Sequence, residues 1–230
     1  MNSYTDITGV LVFDGAPVVT RIVKLFFEPF HLTELWQEDS HLDPHAMYLQ
    51  QCDEEDISTW DALMPDVLTL CQELIYGPDQ YCPPDDIDIA SLILDLGKHH
   101  RADLDALQEV LEDIDFDNGP LDLADACDIV RLIRDGHNVK AIRLMGGYHA
   151  DRNRLWHFGG FMQYADAKVS LGIGTYRLIE ASRKIERGEV EEGFGDLVQT
   201  LLDSVQDKDL KIQVAQRVAS LASRVVSAAV

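Results

Sequence analysis

The chain has 230 residues, 46% of them hydrophobic, and a formal net charge of −22. That length and composition bury a substantial core without disulfide staples, and the charge excludes a protein built to hold phosphate backbones or anionic membranes. Cys52, Cys71, Cys82 and Cys127 form no CxxC pair and no zinc-ribbon spacing, so buried, reduced thiols are expected.

The first residues lack the basic and long apolar regions of a signal peptide, and no run approaches about 18 consecutive apolar residues. The expectation is a cytoplasmic protein with no membrane contact. Its charge is segregated. Residues 1–135 hold 30 Asp and Glu against 6 Lys and Arg, a balance of −24, whereas residues 136–230 hold 11 against 13, a balance of +2.

In chain order, "DITGVLVFDG" (6–15) reads as a strand ending in a tight turn. "APVVTRIVKLFFEPF" then reads as a helix, with Pro17 at its first position and Val18, Ile22, Leu25 and Phe26 at helical spacing. "AMYLQQC" (46–52) is a second strand. "STWDALMPDVLTLCQELIYGP" sets Trp60, Leu63, Met64, Val67, Leu68, Cys71, Leu74 and Ile75 on one helical face, capped by Ser58 or Thr59 and stopped by Gly77-Pro78. Pro65 fits only a first turn, which predicts a start at 61 or later. Three short amphipathic helices follow, at 88–98, 103–113 and 121–135, the last closed by Gly136.

From residue 138 the hydrophobic period changes to two. "NVKAIRLMGGYH", "LWHFGGFMQY" and "AKVSLGI" predict a three-stranded antiparallel meander whose second turn falls at Ala165-Asp166. Helices at about 175–187, about 189–205 and from 208 complete the chain, the last with an apolar stripe of Val214, Val218, Leu221, Val225 and Ala229. The expected fold is α+β: an antiparallel meander sheet of four to five strands packed with several amphipathic helices. Residues 1–173 would form an acidic α+β domain and residues 174–230 a C-terminal helical extension.

"GGYHADRNRLWHFGG" (146–160) is the most concentrated set of reactive side-chain types. With the first meander turn centred near Arg152, alternation puts Ile142, Leu144, Phe158, Met162, Val169, Leu171 and Ile173 on a core face. Arg143, His149, His157, Phe161, Gln163 and Lys168 fall on the other. That second face, floored by Gly147, Gly159 and Gly172, suits an anion or carboxylate held by Arg143, His149, His157 and Lys168. The competing expectation is a helix laid over it, the glycines serving close packing.

Other motifs are incomplete. Asp113, Asp115 and Asp117 resemble the opening of an EF-hand loop, but positions six and twelve hold Asn118 and Ala124 where calcium needs Gly and a bidentate Glu. "HLDPH" (41–45) is interrupted by Pro44, and His99-His100 suits a helix end. Arg177, Arg183, Lys184 and Arg187 cluster on one helix, where Glu180 is positioned to bridge Lys184 and the helix to rest beside the acidic part. No phosphate-binding loop, nucleophile elbow or H-E-x-x-H is present. No catalytic residue, metal ligand or cofactor is therefore assigned.

The acids are the strongest signal. "CDEEDIST" (52–59), "PPDDIDIA" (83–90) and "DLDALQEVLEDIDFD" (103–117) are dense clusters, and residues 25–97 contain no Lys or Arg. Such a surface either keeps the protein soluble or meets a basic partner. The leading expectation is a non-catalytic nucleic-acid mimic, immunity protein or inhibitor of a defence system. Asp53, Glu54, Glu55, Asp56, Asp85, Asp86 and Asp88 would contact a basic, nucleic-acid-binding protein. The second expectation is an enzyme or small-anion sensor using the face around His149 and His157.

Overall fold

The computed structural model describes residues 3–35, 44–52, 59–77, 88–116, 119, 121–150 and 158–228. Six strands form one antiparallel sheet: β1 (Ser3–Phe13), β2 (Thr33–Glu34), β3 (Ala46–Cys52), β4 (Val139–Ala150), β5 (Phe158–Asp166) and β6 (Ser170–Gly174). Their spatial order is β2-β3-β1-β4-β5-β6. The strand beyond the expected four or five is the two-residue β2, too short to show a period.

Strand β1 sits between β3 and β4, and its alternation sorts the two faces of the sheet. Leu11 and Phe13 are buried and Ile7 packs against the core, whereas Thr8, Val10 and Val12 point the other way. Leu11 stands opposite Met47 and Ile142, and Gly9 opposite Leu49 and Leu144, so those residues share the covered face.

Five helices cover it: α1 (Arg21–Phe27), α2 (Trp60–Cys71), α3 (Ile89–His99), α4 (Leu104–Glu112) and α5 (Leu123–Leu132). Each begins on an oxygen-bearing cap that accepts from an otherwise unpaired N–H: Thr20, Thr59, Asp88, Asp103 and Asp122. Phe26, Phe27, Trp60, Leu63, Leu92, Leu96, Leu107 and Ile129 fill the layer between helices and sheet.

Three local expectations are corrected. Pro17 is not the first residue of α1, because Thr20 caps the helix and Arg21 begins it. Pro65 lies beyond the first turn of α2, which starts at Trp60; its carbonyl accepts from the Thr69 hydroxyl at 2.8 Å. Helix α5 stops at Leu132 rather than 135. There the His137 ring accepts from the Val139 N–H at Nδ1 (3.1 Å), which leaves Nε2 to donate to the carbonyls of Val130 and Ile133 at 2.7 and 2.9 Å. The ring thereby satisfies carbonyls that the helix end leaves open.

The meander is present, but its face assignment is inverted between strands. A hairpin centred on Arg152 would pair Ile142 with Met162; the observed partner of Met162 is Met145, and Ile142 pairs with Ala165. The shift of three residues is odd, so every β5 side chain changes face relative to β4. Phe161 and Gln163 therefore lie on the covered face with Leu144, while Met162 and Tyr164 join Arg143 and Met145 on the other. The second turn is Ala167-Lys168, not Ala165-Asp166. The Asp166 carboxylate accepts from the N–H groups of Lys168 (2.8 Å) and Val169 (2.9 Å) and holds the reversal there.

Three helices end the chain: α6 (Thr175–Glu186), α7 (Val190–Asp203) and α8 (Lys208–Ala228). Helix α6 packs on α7, with Gly193 set against the Ala181 backbone. Lys184 reaches Asp196 of α7 at 2.5 Å, so its partner is Asp196 rather than Glu180, and α6 packs on α7 and on strands β5 and β6. Among the described residues no helix is long and apolar enough to cross a membrane.

Candidate functional site

Two surfaces are set apart by chemistry, one on each side of the sheet. On the helical side, the described part of residues 60–128 carries fourteen Asp and Glu against Lys98 and Arg101. Asp61, Asp66, Glu73, Asp105, Glu109 and Glu112 are exposed along α2, the turn after it and α4. Periodicity places them there: the apolar residues of each helix turn inward, so the acids between them turn to solvent. Glu73 meets Arg21 and Asp95 meets Lys98.

Burial and the crowding of like charge act together on the acids of α5. Asp125 in the first turn of α5 is raised to about 6 by burial and by Asp122, Asp128 and Asp113 around it. Asp128 is also raised, by burial above all, although Arg131 at 2.5 Å opposes the shift. Burial would lift Asp95 too, but hydrogen bonds from Lys98 and Tyr76 hold it below its ordinary value.

The opposite side of the sheet carries no helical layer at Arg143, Met145 or Met162, which are exposed, Met145 to 66%. An apolar groove of about 630 Å³ crosses the strands there, lined among others by Val10, Tyr48, Arg143, Met145, Met162 and Tyr164. The expected covering helix is absent from these described positions. Tyr164 donates to Asp166 Oδ2 at 2.7 Å, and its hydroxyl is pushed up to about 12 by burial and by that carboxylate, with Arg143 opposing. Asp166 is held below the usual carboxylate range: burial would raise it, but Tyr164, the two turn N–H groups and Arg131 outweigh that.

The residues singled out from sequence are distributed unevenly over these surfaces. Asp53, Glu54, Glu55, Asp56, Asp85, Asp86 and His157 lie outside the described residues, as do Asp117 and Asn118 of the loop that resembles an EF-hand. Asp88 is exposed, and its carboxylate caps α3 by accepting from Ser91 N–H at 2.6 Å. Asp113 ends α4 as its C-cap. Arg143 opens onto the groove, His149 lies farther along β4 opposite Tyr4 and Phe158, and Lys168 sits in the β5–β6 turn with its ammonium 3.9 Å from Asp207. Arg143 and Lys168 thus face different neighbours.

Sequence reasoning missed the groove. Its signal was present in Val10 and Met145, apolar residues that alternate with the core-facing positions of β1 and β4, whereas Met162 was expected on the core face. Among the described residues no three His, Cys, Asp or Glu are placed to hold a metal ion. Cys71 and Cys127 are buried free thiols. Burial drives both upward, Cys71 to about 12, so neither is a thiolate nucleophile near neutral pH.

The fold and surfaces define a class: an α+β protein with a six-stranded antiparallel sheet, acidic helices on one face and an apolar groove on the other. No family model, no curated protein and no solved structure matches the chain.

Proposed function

We propose that this is a non-catalytic binding protein whose acidic helical layer occupies the basic site of a nucleic-acid-processing protein, as a nucleic-acid mimic or inhibitor does. The observation that carries the reading is the fourteen-to-two excess of carboxylates over cations among the described residues between 60 and 128. Self-repulsion on that scale opposes the compact state, and a complementary basic cleft offsets it on binding. Exposed carboxylates on packed helices keep fixed spacings, as phosphates on a duplex do.

The test is competition. Free protein at physiological salt should displace DNA-binding proteins from DNA-cellulose. A variant with Asp66→Asn, Asp105→Asn, Glu109→Gln and Glu112→Gln should displace far less while melting no lower than wild type. Equal displacement by both proteins, or none by wild type, overturns the reading.

The groove supports a second reading, binding of an apolar ligand with an anionic group. An apolar-lined concavity of this size with a guanidinium and a phenol at its wall has the composition of a small-molecule site. An anionic apolar dye should fluoresce on wild type and lose most of that signal in Arg143→Gln and Met162→Gln. Unchanged fluorescence in both variants sinks this alternative.

A further inference from the structure

Exposed large apolar side chains are concentrated at the C-terminal end of the molecule. Of those described, Tyr176 and Leu178 are on α6, Phe194 and Leu201 on α7, and Ile212 and Val218 on α8. Phe194 and Leu201 are seven residues apart, so they share one face of α7. Helix α8 is 21 residues long, yet between Ile212 and Ser220 all side chains except half-buried Val214 are exposed. Helices in water draw most of their stability from packing an apolar face rather than from propensity. Valines at 214, 218, 225 and 226 lower that propensity further.

Charge selects the occupant of this surface. Residues 1–173 hold 32 Asp and Glu against 11 Lys and Arg, a balance of −21, whereas residues 174–230 hold 9 against 8, a balance of −1. Two copies meeting through their first 173 residues repel one another. The C-terminal helices are the part where a second copy approaches without that penalty.

Within this part the signs are complementary. Helix α7 carries Glu191, Glu192, Asp196 and Asp203 with no cation, and α8 carries Lys208, Lys211, Arg217 and Arg224 against Asp209; Asp196 and Asp203 are met within the chain by Lys184 and Lys211, so Glu191 and Glu192 of α7 and Lys208 and Arg217 of α8 carry the pairing between copies. Two α8 helices packed on each other would set like charges together. A two-fold arrangement that lays α8 of each copy on α7 of the other makes the favourable pairing twice.

The area is of the right order. At 1.5 Å per residue α7 and α8 together run about 50 Å, and at a helix width of about 10 Å they present a footprint of roughly 500 Å² before side-chain relief. A stable interface uses about 800 Å² of accessible surface per partner. We infer that the protein is a homodimer in which α7 and α8 of one copy pack reciprocally against α8 and α7 of a second. The inference is independent of the acidic-surface reading, because the acids of that reading lie on α2–α5.

Sedimentation of the full chain across the micromolar range tests it. Wild type should sediment at twice the chain mass and loosen as salt rises. Lys208→Glu with Arg217→Glu should weaken the dimer about ten-fold or more, and adding Glu191→Lys with Glu192→Lys should restore it. Circular dichroism and melting confirm that each variant is folded. A wild-type monomer throughout, a charge-reversed variant that stays fully dimeric, or a folded compensated variant that fails to recover each overturns the dimer.

Discussion

The ring of Phe161 on β5 lies over the backbone of Gly146 on β4, directly opposite it in register on the covered face of the sheet. A methyl group built at Gly146 would overlap that ring, so the glycine leaves the space that the aromatic fills. Gly146→Ala should therefore destabilise the protein by about 1–3 kcal/mol, the usual cost of overpacking. Replacing Phe161 by Leu in the same chain should recover part of the loss. Urea denaturation of the single and double variants measures both.

Asp166 holds the β5–β6 reversal through three accepted hydrogen bonds, from Lys168 N–H, Val169 N–H and the Tyr164 hydroxyl. Asp166→Ala should cost about 2 kcal/mol at neutral pH. The folded carboxyl lies below its ordinary value, so the stability it contributes is present above that value and is lost as pH falls through the folded one. The gap between wild type and variant, followed by denaturation, should narrow steadily below about pH 4.

Asp125 works in the opposite sense. Its folded value, about 6, lies above the ordinary 3.8, so the folded state binds the proton more tightly than the unfolded chain. This group's contribution to stability therefore improves as pH falls from 7 through 6 toward 4. Asp125→Asn should raise stability at pH 7 by about 1 kcal/mol, discounted because the side chain is half-buried, and should flatten the profile between pH 4 and 7. A variant less stable than wild type at pH 7 would contradict the assignment.

Direct nucleic-acid binding is expected to be absent. With a net charge of −22 the protein offers too few cations to replace condensed counterions, and the basic residues of α6 are engaged locally, Lys184 with Asp196 and Arg177 with Thr200. A mobility-shift titration with duplex DNA at physiological salt should show no retardation at sub-micromolar protein. Retardation that Arg183→Gln and Arg187→Gln abolish would make α6 the site.

Most helices were legible because their information is local. The predicted 88–98 segment is Ile89–His99, and the predicted 103–113 segment is Leu104–Glu112. Thr59, one of the two residues expected to cap α2, does so, and Gly77 follows its last turn with φ +75°. A cap bonds within three residues and an apolar face repeats within four, so a short window contains the whole cause. The glycine pair at 146–147 also looked like a feature of chemistry, when the nearest constraint on Gly146 was an aromatic ring on the neighbouring strand.

What the sequence by itself determined is the α+β class, the helical spans, the strand composition and the segregation of charge, each a property of neighbouring residues or of totals. Only the tertiary structure decided which face each strand turns outward. Strand β1 pairs with β4 at Leu11–Ile142, across 130 residues, and β5 meets β4 three residues out of the expected register. Side chains alternate with period two, so an odd displacement of register between β4 and β5 carried Met162 and Tyr164 onto the face of Arg143 and Met145 and assembled the groove there. The partner of Lys184 was decided in the same way, because Asp196 comes within reach only when α7 folds back along α6, and no spacing along a single helix encodes that return.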